Sequence, residues 1–397
     1  MVCLAFAVFI HGAHAQVEWM SQTSGGEHLW TIAMADELVG VAAGYEFRRT
    51  TDGGATWTLL PDPAVGFVRD IQFVTPQKGW LAASKIMRTL DGGATWADMG
   101  TTSSGAKSVH MLTEQMGWFG GQASNYAGTV KRTVNGGQSW QLLNTLDSTN
   151  ITDIQFVDAM NGWITDYYGR VLRTADGGTT WTEQMNDPWI TFNVIHMRDA
   201  QNGWCAGGTD ECPSYGRLFR TSNGGDTWVP VPLYPSWAQI NGIATHGDQE
   251  IWLACGSYCG SMLGAVYRSS NGGASWFADA VPNNIPRSSI HVIDGAVGWS
   301  SGHDGDVVHF SRSTVGIMEW SSEEITAWWD TDAQALHLTT GEPDGPVFLE
   351  VFNAAGAVLM SRTSVQQGVV QLPATASGML LLRIVQGDRT RTLRVFR

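Results

Sequence analysis

The stretch Leu172–Trp181, "LRTADGGTTW", decides how the chain is read, because it recurs. The same phrase stands as "RRTTDGGATW" (48–57), "MRTLDGGATW" (87–96), "KRTVNGGQSW" (131–140), "FRTSNGGDTW" (219–228) and "YRSSNGGASW" (267–276). Its Trp falls at 57, 96, 140, 181, 228 and 276, a period of roughly 40–50 residues of the kind that propeller blades show. A second phrase runs between the copies, with an apolar anchor and a Trp nine positions apart. The pairs are Ile71/Trp80, Val109/Trp118, Ile154/Trp163, Ile195/Trp204, Ile243/Trp252 and Ile290/Trp299. A seventh, weaker copy comes first, in which Ile32 and Val41 keep the spacing with Val in place of Trp.

Each repeat holds four short β-type segments separated by turn residues. In the second they are expected at 71–74, 79–83, 85–89 and 96–99. One four-stranded sheet cannot bury both of its faces, so seven of them are expected to stack radially as blades. Trp19 lies in phase before the first repeat and Trp320 in the last. The N-terminal segment is therefore expected to supply the outer strand of the last blade and close the ring.

Within the phrase, the paired glycines suit a tight turn with φ > 0. The acidic position, Asp52, Asp91, Asn135, Asp176, Asn223 or Asn271, alternates between Asp and Asn. A general acid or base does not survive that exchange, whereas an acceptor for turn amides does. These six residues are read as structural. The phrase resembles the Asp-box, or BNR, repeat of sialidases, sortilin-type receptors and xyloglucanases. With its paired Gly-Trp phrase and spacing, it is more similar to the photosystem II stability/assembly factor family. The likeness covers residues 17–320 and implies a propeller, without fixing a ligand.

Beyond the repeats, alternating segments such as "VFLEVFNAAGAVLMS" predict a small Ig-like β-sandwich over residues 326–397. The fold expected is therefore all-β, a seven-bladed β-propeller over 16–325 followed by that sandwich. The ending "LPATASGMLLLRIVQGDRTRTLRVFR" resembles the C-terminal sorting domain of type IX secretion cargo. It departs from that family at Met379-Leu380, where an aromatic is usual, and at Arg394 and Arg397, where lysines are common. At the other end, the apolar run 4–10 and Ala13-His14-Ala15 read as a signal peptide over 1–15. Together they imply a secreted or cell-surface protein, exported through the periplasm and outer membrane with the type IX machinery as its partner.

The net charge is −14, and the residues from Asp330 onward balance six acids against six arginines. The acidic charge thus sits on the propeller and argues against nucleic acid as a partner. No Walker loop, HExxH or dinucleotide fingerprint is present, no cofactor is implied, and a single copy is expected to act alone without spanning a membrane. Cleavage after Ala15 would leave Cys205, Cys212, Cys255 and Cys259. Proximity pairs Cys205 with Cys212 and Cys255 with Cys259, although four cysteines allow three disulfide connectivities and a zinc site is the rival.

Function is expected on the face carrying the B–C and D–A loops, since the Asp-box face consists of short, nearly identical turns. Trp189 and Trp237 lie six residues before their anchors in the loops entering blades 5 and 6. The long B–C loops of those blades add Asp210, Glu211, Tyr215 and Tyr258. Aromatics beside carboxylates suit a glycan or a peptide. A non-catalytic binding propeller is the preferred reading, and an assembly factor for a membrane complex is less compatible with export. The alternative is a glycoside hydrolase. A sialidase would draw its arginines from Arg69, Arg170, Arg217 and Arg287, and a xyloglucanase its carboxylates from Asp166, Asp210, Glu211, Asp304 and Asp306. His303 with Asp304 and Asp306 is the one His–acid cluster, read as a polar turn in preference to a metal site.

Overall fold

The computed structural model describes residues 19–312, apart from 24, 64, 102–104, 123–126, 210–213, 234–237 and 258–263, and the strands between 326 and 396. Residues 19–311 form seven four-stranded antiparallel sheets, each wound A-B-C-D from the channel outward. The inner A strands are Leu29–Met34, Asp70–Phe73, Ala106–Met111, Ile151–Phe156, Ile190–Met197, Ile240–His246 and Arg287–Ile293, for blades 1 to 7 in chain order. In blade 2 the remaining strands, Gly79–Ala82, Lys85–Thr89 and Ala97–Thr101, lie within two residues of expectation.

The ring closes as the phase of Trp19 requires. Trp19–Thr23 pairs antiparallel with Val307–Ser311 as the outer strand of blade 7, with Trp19 opposite Phe310. Their rings meet edge to face at 4.7 Å, and Trp19 Nε1 donates to Asp279 Oδ2 at 3.2 Å. The two ends of the propeller chain thereby share one sheet, and the N-terminal strand covers the edge that Val307–Ser311 would otherwise leave open.

The two repeated phrases meet at the joints between blades. The strand-B Trp residues, Trp80, Trp118, Trp163, Trp204, Trp252 and Trp299, are at most 1% exposed. Each packs between neighbouring sheets, as Trp118 does in a cluster with Ile151, Ile154 and Phe156 of the next blade. Four also donate to the first box glycine of the next blade. Trp80 reaches the carbonyl of Gly136, Trp118 that of Gly177, Trp163 that of Gly224, and Trp299 crosses the closure to Gly53, at 2.9–3.2 Å. Repeat arginines do the same, Arg49 to Gly92, Arg88 to Gly136 and Arg220 to Gly272.

The box is a closed hydrogen-bonded turn. Its first glycine has φ of 66–75° and its second 81–97° in all six copies. Asp52 Oδ1 accepts from the Thr56 amide at 2.9 Å, and the Thr56 hydroxyl donates to Oδ2 at 2.6 Å. In blade 3, Asn135 Oδ1 accepts from the Ser139 amide at 3.0 Å, and its Nδ2 donates to the Ser139 hydroxyl at 2.9 Å. The hydroxyl reverses its role, so either residue completes the turn.

The cysteines differ from expectation. Cys205 and Cys255 are free thiols, and Cys212 and Cys259 lie outside the described residues. Cys205 follows Trp204 on strand B, where Leu81 and Ile164 stand in blades 2 and 4, and it packs with Trp163, Phe192 and Ile195. Both sulfurs act as small apolar groups, and burial pushes both thiols up.

Residues Arg312–Arg397 form a separate compact unit. It contains a three-stranded sheet (Thr326–Asp330, Ala335–Thr339, Gly368–Val370). Its four-stranded sheet runs Val358–Val365, Val347–Asn353, Met379–Gln386, Arg389–Phe396. Leu336, Leu349, Val351 and Leu380 are fully buried. No described helix is long and apolar enough to cross a membrane.

Candidate functional site

One irregularity in the A strands builds the site. In six blades the pairing of strand A with strand B slips by one residue, two positions before the apolar anchor. The residues left over are Trp30, Lys107, Thr152, Asn193, Asn241 and Ser288. In blade 2 Arg69 holds the same place, its amide bonded to the Ala82 carbonyl opposite Asp70. A bulged residue leaves the ladder and its side chain is re-aimed. Here all seven side chains line one cavity of about 570 Å³ at the loop-face mouth of the channel.

The ring is uneven. Toward blades 5–7 its members are committed to the scaffold. Asn193 Nδ2 donates to the Ile240 carbonyl at 3.0 Å and to Asn241 Oδ1 at 3.1 Å. Asn241 Nδ2 donates to the Arg287 carbonyl at 2.8 Å. Ser288 Oγ lies 2.7 Å from His28 Nε2. Toward blades 1–3 stand Trp30, Arg69 and Lys107. Among the described residues neither Arg69 nor Lys107 forms an ion pair. Desolvation and the nearby Arg69 bring the Lys107 ammonium down to about 8, and desolvation also lowers Arg69.

Aromatic groups wall this side. The Arg69 guanidinium lies 4.4 Å from the Phe67 ring centroid, a cation–π contact. Phe67 in turn meets Trp30 at 5.3 Å and Tyr45 at 5.0 Å, and Tyr45 is exposed. His28 stacks on Trp30 at 4.0 Å, and burial with the facing His303 pushes it down to about 3. A second aromatic group stands on blade 4, where Tyr167, Tyr168 and Trp189 are all exposed. Their backbones are tied, since Asp187 donates its amide to the Gly169 carbonyl and Thr191 Oγ1 donates to that of Tyr167.

Of the six ligand residues expected from sequence, Trp189 is 78% exposed on this face. Tyr215 is half-buried and pairs its backbone with Thr209 in both directions. Asp210, Glu211, Trp237 and Tyr258 lie outside the described residues. Arg69 entered the sequence reading only as a possible sialidase arginine, and the mouth residues Trp30 and Lys107 and the partners Tyr45 and Phe67 were not anticipated. Their signal was available, since aligning the anchors and reading the column two places earlier gives W, R, K, T, N, N, S.

Two of the acids considered for hydrolysis are neutralised by two of the arginines. Arg170 pairs with the buried Asp166 at 2.7 Å, and Arg287 with Asp306 at 2.6 Å, both fully buried. His303–Gly305 is a single 3₁₀ turn in which Asp304 is exposed. Among the described residues no group of three His, Cys, Asp or Glu side chains is arranged to hold a metal ion. One level below the mouth, Asp70 and Asp153 flank Ser108. Burial, then the charge of Asp153, raises Asp70 to about 6, and burial raises Asp153.

This architecture has relatives. A family model described as "Photosynthesis system II assembly factor YCF48" matches residues 132–334, a little over half the chain. The chain belongs to this family. Among solved structures, "YCF48 bound to D1 peptide" aligns at 16% identity and a TM-score of 0.58, covering 75% of this chain and 97% of that one. YCF48 from Cyanidioschyzon merolae aligns at 20% and 0.59, covering 74% and 98%. The GH74 xyloglucanase from Xanthomonas campestris aligns at 12% and 0.59, covering 96% and 68%. At these identities the likeness is one of fold. No curated protein matches the sequence.

Proposed function

We propose that the protein is a non-catalytic binding propeller that holds a peptide segment of a partner protein across the mouth of its channel. The observation that carries this reading is the bulged ring. Seven strands each turn one non-repeating side chain into a single cavity, and its two cations, Arg69 and Lys107, lack an ion-pair partner among the described residues. Aromatic groups on blades 1–2 and on blade 4 would grip side chains on either side of it. Membership of the YCF48 family supports the reading, as does a solved YCF48 with a bound D1 peptide.

The glycoside hydrolase alternative has a GH74 neighbour in fold. It is weakened by the pairing of Asp166 and Asp306 with arginines. Delivery outside the cell by type IX secretion is the second half of the proposal. It rests on the apolar segment before Ala15 and on the ending of the chain, whose two sheets would pack as an Ig-like sandwich.

A random peptide library selected on the full-length chain tests the binding function. Selected peptides should bind the wild type and lose at least tenfold in affinity with Arg69→Ala/Lys107→Ala. Failure to enrich any peptide, or equal binding to the variant, would reject this assignment.

A further inference from the structure

Ser108 stands between two carboxylates in the channel. Its Oγ lies 2.9 Å from Asp70 Oδ2 and 2.7 Å from Asp153 Oδ1. Both are hydrogen-bond distances, yet a serine hydroxyl carries one hydrogen. Two bonds among these oxygens need two hydrogens, and the second has to come from a carboxyl group.

The backbone donors show which carboxyl carries it. Asp153 accepts from the amides of Ile154 at 2.8 Å and Ile195 at 2.9 Å, in addition to Ser108. Asp70 Oδ2 divides its capacity between Ser108 and the Val109 amide at 2.9 Å, and the Ile71 amide is the weakest of its partners. The carboxylate with two close amide donors is the more stable anion. Asp153 therefore keeps the charge, while Asp70 donates to Ser108 and Ser108 donates to Asp153.

Other charges act on this trio. Arg69 and Lys107, one residue earlier on the same strands, face the cavity above and favour ionisation. His110, His196 and His291, one residue past the anchors of blades 3, 5 and 7, are pushed by burial down to about 4 and are neutral above that pH. At the level of the trio the other blades contribute Thr31, Val194, Gly242 and Ser289, none of them charged.

We propose that Asp70 and Asp153 share one proton through Ser108, making the channel floor a pH-sensitive regulator of the ligand mouth. The proton itself stands on the geometry, and its effect on a ligand rests on the binding function proposed above. With the proton in place, one negative charge lies beneath the two cations and the mouth is net positive. Without it the charges cancel. An acidic ligand group is then held more tightly below the pH at which the proton leaves. Asp70, raised to about 6, places that change just below neutrality. Because the folded value lies above that of the unfolded chain, the stability conferred by the pair is complete below about pH 4. It is lost as the pH rises through about 6.

Asn is a neutral replacement for the protonated acid: with Nδ2 in the place of Oδ2 it donates to Ser108, at the cost of the bond that Oδ2 accepts from the Val109 amide, and it does not titrate. The full-length wild type and Asp70→Asn are compared by urea denaturation from pH 4 to 8 and by infrared spectroscopy of the carboxyl C=O stretch. The wild type is expected to lose stability across this window and to show a protonated-carboxyl band that vanishes near pH 6. Asp70→Asn is expected to flatten the slope and abolish the band. A wild type without the band at pH 5, or an Asp70→Asn slope equal to that of the wild type, overturns the shared proton.

The probe for regulation is acetyl-tetra-aspartate. It should bind the wild type about fivefold more tightly at pH 5.5 than at 7.5 and bind Asp70→Asn equally at both. Equal wild-type binding at both values rejects the regulation. No binding at either pH, with the band present, counts against the peptide-binding function and leaves the shared proton standing.

Discussion

The two faces of the propeller are built from the same strands and use them oppositely. On the Asp-box face the six described box turns repeat, and in each the Asp or Asn side chain and the flanking Thr or Ser hydroxyls bond within the turn. Thr50, Asp52 and Thr56 close one such loop among themselves. On the loop face the corresponding positions do not repeat. Trp30, Arg69, Lys107, Thr152, Asn193, Asn241 and Ser288 occupy one structural place with aromatic, cationic, hydroxyl and amide groups. A position selected for packing converges on one residue type around the ring. A position selected for what enters the channel diverges, because a ligand is not seven-fold symmetric.

That contrast can be broken most forcefully at the joints. Trp118→Ala deletes a fully buried ring stacked on Phe156 at 3.7 Å and a donor to Gly177. It is expected to cost about 3–5 kcal/mol in urea denaturation. A loss under about 1 kcal/mol would show that the repeated Trp is not what holds the blades together.

The mouth should behave in the opposite manner. Arg69→Ala and Lys107→Ala should each leave stability within about 0.5 kcal/mol, while binding of library-selected peptides falls. A stability loss as large as that of Trp118→Ala would make these side chains part of the scaffold.

A smaller effect sharpens the reading of the box. Asp52→Asn should be nearly neutral, since Asn135, Asn223 and Asn271 close the same turn in other blades. Asp52→Ala should cost about 1 kcal/mol. Burial opposes ionisation of Asp52, but bonds from Thr56 and Thr50 outweigh it and hold the carboxyl below its usual range. Its contribution is thus present at neutral pH and lost as the pH falls through that depressed value. Denaturation curves of the wild type and Asp52→Ala, separate at pH 7, should approach one another at pH 3, and an undiminished separation would argue against the carboxylate as the acceptor.

The smallest structural effect is expected at Trp189. Being 78% exposed, it should tolerate Ala with no measurable change in stability. Loss of peptide binding in that variant would extend the site from the channel mouth to the aromatic group on blade 4.

The sequence makes the seven blades legible because their determinants repeat. The nine-residue interval from anchor to Trp, the Gly-Gly turn and the phase of Trp19 each follow from packing that every blade must satisfy. The site is harder to find for the same physical reason. The bulged residue is unconstrained by the repeat, so a search for repetition passes over Lys107, meets Arg69 only as an arginine outside the repeat, and settles on long loops and surplus tryptophans. The cysteines misled differently. Cys205 occupies a position that Leu81 and Ile164 fill elsewhere, so its environment is an apolar joint, and spacing along the chain carries no information about that burial.

The most direct test of the mouth as the binding site is photo-crosslinking of a library-selected peptide to the full-length chain, with the attachment points read by mass spectrometry. Crosslinks should fall on the segments carrying Trp30, Arg69, Lys107 and Tyr167. Crosslinks confined to the box turns, such as 52–57 or 91–96, would place the ligand on the repeating face and contradict the account.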